Sequence, residues 1–458
     1  MPRKLQETPL IPFPVAPIVQ GDVRSLEAKD FFDDESIQVG CDVLTADQCT
    51  PAPTPVPAPN FGSFEPSSAP SVLDDSSTGL VLSSGERVIL TSDIRCIDTI
   101  TVTNGTILDC LGFALSGPAE NDMIILRDGG SLVNCDLDME IPRDKNVFND
   151  IRKGVVMDQG DATVQEVSFR GGGNAFVIDD DTVGNVVLDG IAFASQIIGL
   201  HIESLIDISP DTALPDVVGS ITIRNFEATV NPVVPNRSRN LIEVEALLHN
   251  INIQDGFLEG GRAAIDIDVA RNVTISGLTA RNAEDDIIFV DETFDHVIVR
   301  DARLSGAKEF NCLYVFGFEN ADDLALPFTR NVEFDNIVCT HSFNGGIETE
   351  GVNDATVKNV VAIGNGFGFI PDAGGSFDNR VGVSIGFGGT LVMENIFSAD
   401  NGDFGIVAAH NGLESDTPPT MEASNWIALD HPTGTGILVG GEDHLQFAGS
   451  PTSIQQIT

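Results

Sequence analysis

NIQDGFLEGGRAAIDID (residues 252–268) is followed by VTISGLTARNAEDDIIFVD (273–291), and the two read as one pattern written twice. A short alternating strand ends in Asp or Gly. An apolar residue follows, the chain turns, and a second alternating strand closes the unit. Alternation turns one face of each strand inward. Asp, Asn and Gly at the break tolerate left-handed backbone geometry. Helical periodicity is weak, and the 45 glycines, frequent at turn positions, argue against helical repeats.

Further copies lie on both sides, among them TILDCLGFALSG (106–117), SLVNCDLDM (131–139), VEFDNIVCTHSFNGGIETE (332–350) and LVMENIFSADNGDFGIVAA (391–409). The apolar residue after the break aligns as Cys135, Val167, Ile191, Phe226, Phe257, Leu278, Ala302, Ile337, Val360, Ile396 and Trp426. The shortest spacing is 21 residues (Phe257 to Leu278) and the longest 36 (Val360 to Ile396). Short spacings set the basal coil, and long ones carry insertions such as DISPDTALPDVVG and VFGFENADDLALPFTR. Self-similarity at this period marks a solenoid. The period is too short for a propeller blade, and a leucine-rich repeat would need Leu at fixed offsets. The expectation is an all-β, right-handed parallel β-helix of about 12 coils, spanning residues 80–458. Residues 1–79 read as an acidic tail with a Pro/Ser-rich linker (CTPAPTPVPAPNFGSFEPSSAPS, 49–71). Stacked Asn at the breaks are expected to hydrogen-bond along the axis.

A formal charge of −45, from 69 acidic and 24 basic residues, makes nucleic acid and anionic membranes poor partners. Divalent cations or a saline setting suit it better. No apolar run is long enough to span a membrane. The start, MPRKLQETPLIPFPVAPIV, lacks an unbroken apolar segment and reads poorly as a signal peptide. With seven Cys, at least one thiol is unpaired within the chain. Cys41 and Cys49 fall in the tail and suit a small loop. Cys110 and Cys135 match in successive repeats, and a buried stack of thiols is favoured there over a bridge. Three sequons begin at Asn104, Asn236 and Asn272, each at an expected turn or loop.

The repeats, with the opening copy CIDTITVTNGTILDCLGFALSG, resemble the pectin-lyase-like superfamily of right-handed β-helices over residues 80–458. That superfamily includes polysaccharide lyases, glycoside hydrolases, epimerases and non-catalytic proteins, so the fold does not assign an activity. NAEDDIIFV (282–290) partially resembles the GDDC segment of polygalacturonase-type hydrolases, which makes Asp285 and Asp286 candidate acid/base residues. Ala263 stands near where that family's first catalytic aspartate falls, and neither a GHG nor an RIK motif follows.

Aligned second strands FVIDD, LHIES, IEVEA, IDIDV, IIFVD and IETEG give the chain's one ordered group of chemistry. His201, Glu243 and Asp266 share an outward column, with Asp179, Glu203, Glu245 and Asp268 in the next. Coils stack about 4.8 Å apart and alternate residues lie about 6.6 Å apart. Glu243, Glu245, Asp266 and Asp268 should therefore form a square. Neighbouring charges there repel by roughly 0.8 kcal/mol in water and about 3 kcal/mol at an effective dielectric of 20. Ca2+ would relieve this, with Glu203, Glu245 and Asp268 as candidate ligands. Catalysis is the other use, through Glu243, Asp266, Asp285 and Asp286, and a solvated acidic face is the third reading. His201, Arg262 and Arg281 are candidate substrate contacts, the arginines alternatively compensating the acidic charge.

The functional expectation is a secreted or cell-wall-associated β-helix that is carbohydrate-directed, binding a cell-wall or matrix polysaccharide with Ca2+ assistance. Catalysis is left open. An enzyme here would be a polysaccharide lyase or a glycoside hydrolase. The alternative is a non-catalytic acidic surface or matrix protein.

Overall fold

In the computed structural model the described residues run from 71 to 441. They exclude 74–79, 96–97, 118–121, 140–152, 172, 179–182, 195–197, 204–218, 230–239, 292, 294, 318–328, 367–379, 403, 411–419, 430 and 432–434. The Cys41/Cys49 loop, Asn236 and Asp179 fall outside them. The described residues all belong to the compact unit Ala52–Thr458. Among them every strand pairing is parallel and no helix is present. The architecture is the parallel β-helix that the repeats imply.

Three sheets run the length of the solenoid. The long strands, such as Ile265–Arg281 and His296–Ser305, supply the first and second sheets from their two halves. Short strands such as Ile288–Asp291 and Leu313–Phe316 supply the third. In the first sheet one inward column reads Leu132, Val164, Leu188, Ile223, Ile253, Ile275, Val299, Phe334, Val357, Met393. Every member is buried. Each coil thus buries its apolar face only against its neighbours. The ladder already includes Ser71–Leu73, paired in register with Val88–Leu90.

The break between the halves of each long strand is a left-handed residue. Asn134, Glu166, Gly190, Asn225, Asp255, Gly277, Asp301, Asn336, Asn359, Asn395 and Asn425 all have φ between 51° and 70°. One residue in this conformation turns the strand onto the next sheet without interrupting the ladder. Asn336 donates its Nδ2 to Asp301 Oδ1 (2.7 Å), Asn395 to Asn359 Oδ1 (2.9 Å) and Asn425 to Asn395 Oδ1 (2.9 Å). The expected axial ladder is present.

Three expectations are corrected. Phe226 pairs with Gly256, and Phe257 points outward beneath the Arg281 guanidinium, 5.3 Å from its ring centroid. A Cβ at Gly256 would lie 2.1 Å from Cζ of the Phe226 ring, so that ring already fills the inward place. Cys110 and Cys135 form a disulfide with a Cα separation of 4.8 Å, because the distance between stacked coils falls within disulfide reach. A second bridge joins Cys312 to Cys339. Asn272 lies in a strand, not a turn, and its Nδ2 donates to His249 O (3.1 Å) and Asn250 Oδ1 (3.2 Å).

Candidate acidic and aromatic face

The outward side of the third sheet carries the candidate residues. Its inward side is held by Ile242, Val244, Ile265, Ile267, Ile288, Val290, Leu313, Val315 and Ile347, all buried. Alternation then fixes the outward set. His201 pairs in register with Glu243 and Glu203 with Glu245. Glu243 pairs with Asp266 and Glu245 with Asp268. The square expected from sequence therefore exists at the level of register. The side chains of His201, Glu203 and Glu245 lie outside the described residues. Among the described residues no group of three His, Cys, Asp or Glu side chains is placed to hold a metal ion.

Beyond the square the face changes character. Asp266 pairs with Phe289 and Asp268 with Asp291, one residue later than an alignment starting at Ile287. Phe289 then pairs with Tyr314, on Leu313–Phe316, a coil that the repeat pattern does not announce. Tyr314 pairs with Glu348 and Phe316 with Glu350. The Phe289 and Tyr314 ring centroids are 5.5 Å apart, and those of Tyr314 and Phe316 6.1 Å. Tyr314 Oη donates to Glu350 Oε2 at 2.8 Å. A half-buried aromatic step thus joins two carboxylate groups on one face.

The turns leading into this sheet supply its polar ties. Asn240 is buried and donates Nδ2 to Glu243 Oε1 (2.8 Å) and Asp266 Oδ2 (2.6 Å), while its Oδ1 accepts from Ala263 N (3.0 Å). Two coils on from Asn240, Asp286 Oδ1 accepts from Asn311 N (2.9 Å), repeating the geometry of Asn240 on Ala263. Asn311 Nδ2 donates to Glu348 Oε2 (3.1 Å), so one buried residue, through its backbone N–H and its side-chain amide, ties Asp286 to Glu348. The Asn311 Oδ1 has no hydrogen-bond partner. Cys312, next in the chain, anchors this turn through its bridge to Cys339.

Burial sets the protonation here. Asp286 is 8 % exposed and Glu348 7 %. Desolvation, less the hydrogen bond from Asn311 and with added repulsion from Asp285 and Asp266, pushes the Asp286 carboxyl up to about 7. Desolvation, reinforced by Glu350 and Asp286, pushes Glu348 up to about 8. Burial also raises Asp285, against the lowering effect of Arg262. Tyr314 is raised by burial and by Glu350, so its phenol keeps its proton. The site can therefore hold protons at neutral pH on carboxyls beside others of different environment, the arrangement general acid/base chemistry needs.

The arginines stand apart from the square. Arg262 Nε reaches Asp285 Oδ2 at 3.2 Å, and Arg281 Nη2 reaches Glu259 Oε2 at 3.0 Å on the second sheet. Sequence reasoning missed Asn240, Asn311, Phe289, Glu348 and Glu350. IETE (347–350) repeats the alternation of IEVE and IDID, so its glutamates were legible; the asparagines in turns were not. Comparison with protein-family models, curated proteins and solved structures finds no match.

Proposed function

We propose that the protein is a carbohydrate-directed β-helix of the pectin-lyase-like kind, which binds a polysaccharide along its third sheet and hydrolyses it there. The observation that carries this reading is the Phe289–Tyr314–Phe316 step between carboxylates, with Asp286 and Glu348 tied through Asn311. Aromatic rings offer apolar faces to sugars, and carboxyls of different protonation offer a proton donor and a base. Asp286 or Glu348, protonated near neutrality, gives its proton to the glycosidic oxygen as the C–O bond breaks. Asp266 or Glu243, held by Asn240, takes a proton from the water whose oxygen bonds to the anomeric carbon. Two disulfides suit an oxidising, extracellular setting. Ca2+ at Glu203, Glu245 and Asp268 belongs to the proposal as an aid to holding the acidic end of the face.

A panel of polysaccharides, assayed for reducing ends with Ca2+ and with chelator, tests this. Cleavage should appear with at least one substrate and disappear in Asp286→Asn and Glu348→Gln, with folding retained. Binding without cleavage would leave a lectin-like face. Neither binding nor cleavage would favour the acidic structural rod, which the charge of −45 also fits.

A further inference from the structure

We infer that the polysaccharide taken by this face is a neutral one, with sugar rings packed on the exposed Phe310 and Phe343 beside the Asp286–Asn311–Glu348 group. This rests on the proposed reading of the face and adds its substrate class.

Two independent observations meet here. The first is charge. The outward positions of the third sheet between 242 and 352 carry Glu243, Glu245, Asp266, Asp268, Asp291, Glu348 and Glu350, and no Lys or Arg. Of the described cations beside it, Arg262 pairs with Asp285 and its charge also reaches Asp286, Arg281 pairs with Glu259 and Arg271 with Asp295, while Arg380 lies on the coil next to the Phe343 turn. Lys308 is exposed on the 306–312 turn, directly followed by Glu309. Arg237 and Arg239 are the basic residues of the 230–239 stretch, which leads to Asn240. A uronate or sulfate placed about 6 Å from one ionised carboxylate loses on the order of a hundredfold in affinity at an effective dielectric of 20. A hydroxyl has no such cost, and a protonated carboxyl can donate to it while an amide oxygen accepts from it. The Oδ1 of Asn311 is unpartnered and buried beneath this turn's surface.

The second observation is apolar. Phe310 is 42 % exposed and Phe343 36 %, while the other aromatic side chains among the described residues are buried or half-buried. They occupy equivalent turns of adjacent coils: Phe343 N donates to Ala307 O at 2.9 Å, and Asn344 N to Phe310 O at 3.0 Å. Phe310 immediately precedes Asn311, so the apolar rim and the polar group share one turn. Rings exposed at the rim of an acidic face fit a ligand with apolar faces and uncharged polar edges, which describes a neutral sugar.

Calorimetric titration of the full chain decides this, using neutral oligosaccharides (xylan, mannan and glucan fragments) against oligogalacturonate and a sulfated galactan fragment. Each is run at pH 6, in 0.15 M and in 1 M salt. Expected is binding of a neutral oligosaccharide with little salt dependence, weakened about tenfold by Phe310→Ala or Phe343→Ala at unchanged melting temperature. The charged fragments should bind at least a hundredfold more weakly. Equal or tighter binding of a charged fragment would overturn the inference while leaving the proposed glycan face intact. Neutral binding indifferent to both Phe substitutions would overturn it too. If no fragment binds, the proposed function falls and this inference with it.

Discussion

Asp286 and Glu348 each need a reason to be buried, and hydrogen bonds to Asn311 supply only part of one. Both carboxyls are raised, to about 7 and about 8, so the folded chain holds protons that the unfolded chain releases above about pH 4. The folded state then binds more protons, and stability falls with rising pH. The contribution is fully present below pH 4 and is lost as pH climbs through 7 to 8. A tenfold difference in proton affinity between the folded and unfolded chain is worth about 1.4 kcal/mol. The Tm of the full chain should therefore decline between pH 5 and pH 9. Asp286→Asn with Glu348→Gln should flatten that decline, since both amides keep an acceptor for Asn311. A slope unchanged in the double variant would assign the pH dependence elsewhere. For hydrolysis the same sign holds: the acid must carry its proton, so activity should fall above about pH 7 to 8.

At the scale of elements, the left-handed column is what makes one strand serve two sheets. Asn395 has φ 57° and lies between Asn359 and Asn425 in the ladder. Asn395→Ala should cost about 2 to 3 kcal/mol, from left-handed strain and lost hydrogen bonds. Asn395→Gly removes only the side-chain bonds and should cost about 1 kcal/mol, read by denaturant unfolding. The column was legible because Asn, Asp and Gly are chosen for one backbone conformation, which a sequence displays directly. Phe257 was misplaced for the opposite reason. Inward position there is decided by the Phe226 ring of the neighbouring coil, and packing across coils leaves no local trace. The strand Leu313–Phe316 was missed because its two aromatic residues at outward positions erase the polar alternation that marks the other coils. The acidic half of the face was thus legible and its aromatic half was not.

Across the whole molecule, the seven cysteines gave a parity but no partners; coil stacking supplies them. Cys312→Ser with Cys339→Ser should lower stability by about 3.5 kcal/mol in the chain-entropy account of a loop of this length. It should also loosen the turn that holds Asn311, so any glycan affinity should fall with it. Of the sequons, Asn104 is exposed at a left-handed turn, whereas the Asn272 amide is already engaged in its strand. Expression through a eukaryotic secretory route should therefore load Asn104 and leave Asn272 bare, as peptide mass spectrometry would read.

The two bridges also determine how the molecule would yield to a pull. A β-helix drawn out by its ends unspools its coils in sequence, each releasing the contour of its own residues. The chain between Cys110 and Cys135, and between Cys312 and Cys339, cannot unspool, being short-circuited over 25 and 27 residues. At about 3.4 Å per residue these knots withhold about 180 Å of extension. An optical-tweezer trace should come up short by that length under oxidising buffer and recover it when a reductant is added. The second knot begins at Cys312, directly after Asn311, so the β-helix is tethered just where its acidic and aromatic residues meet.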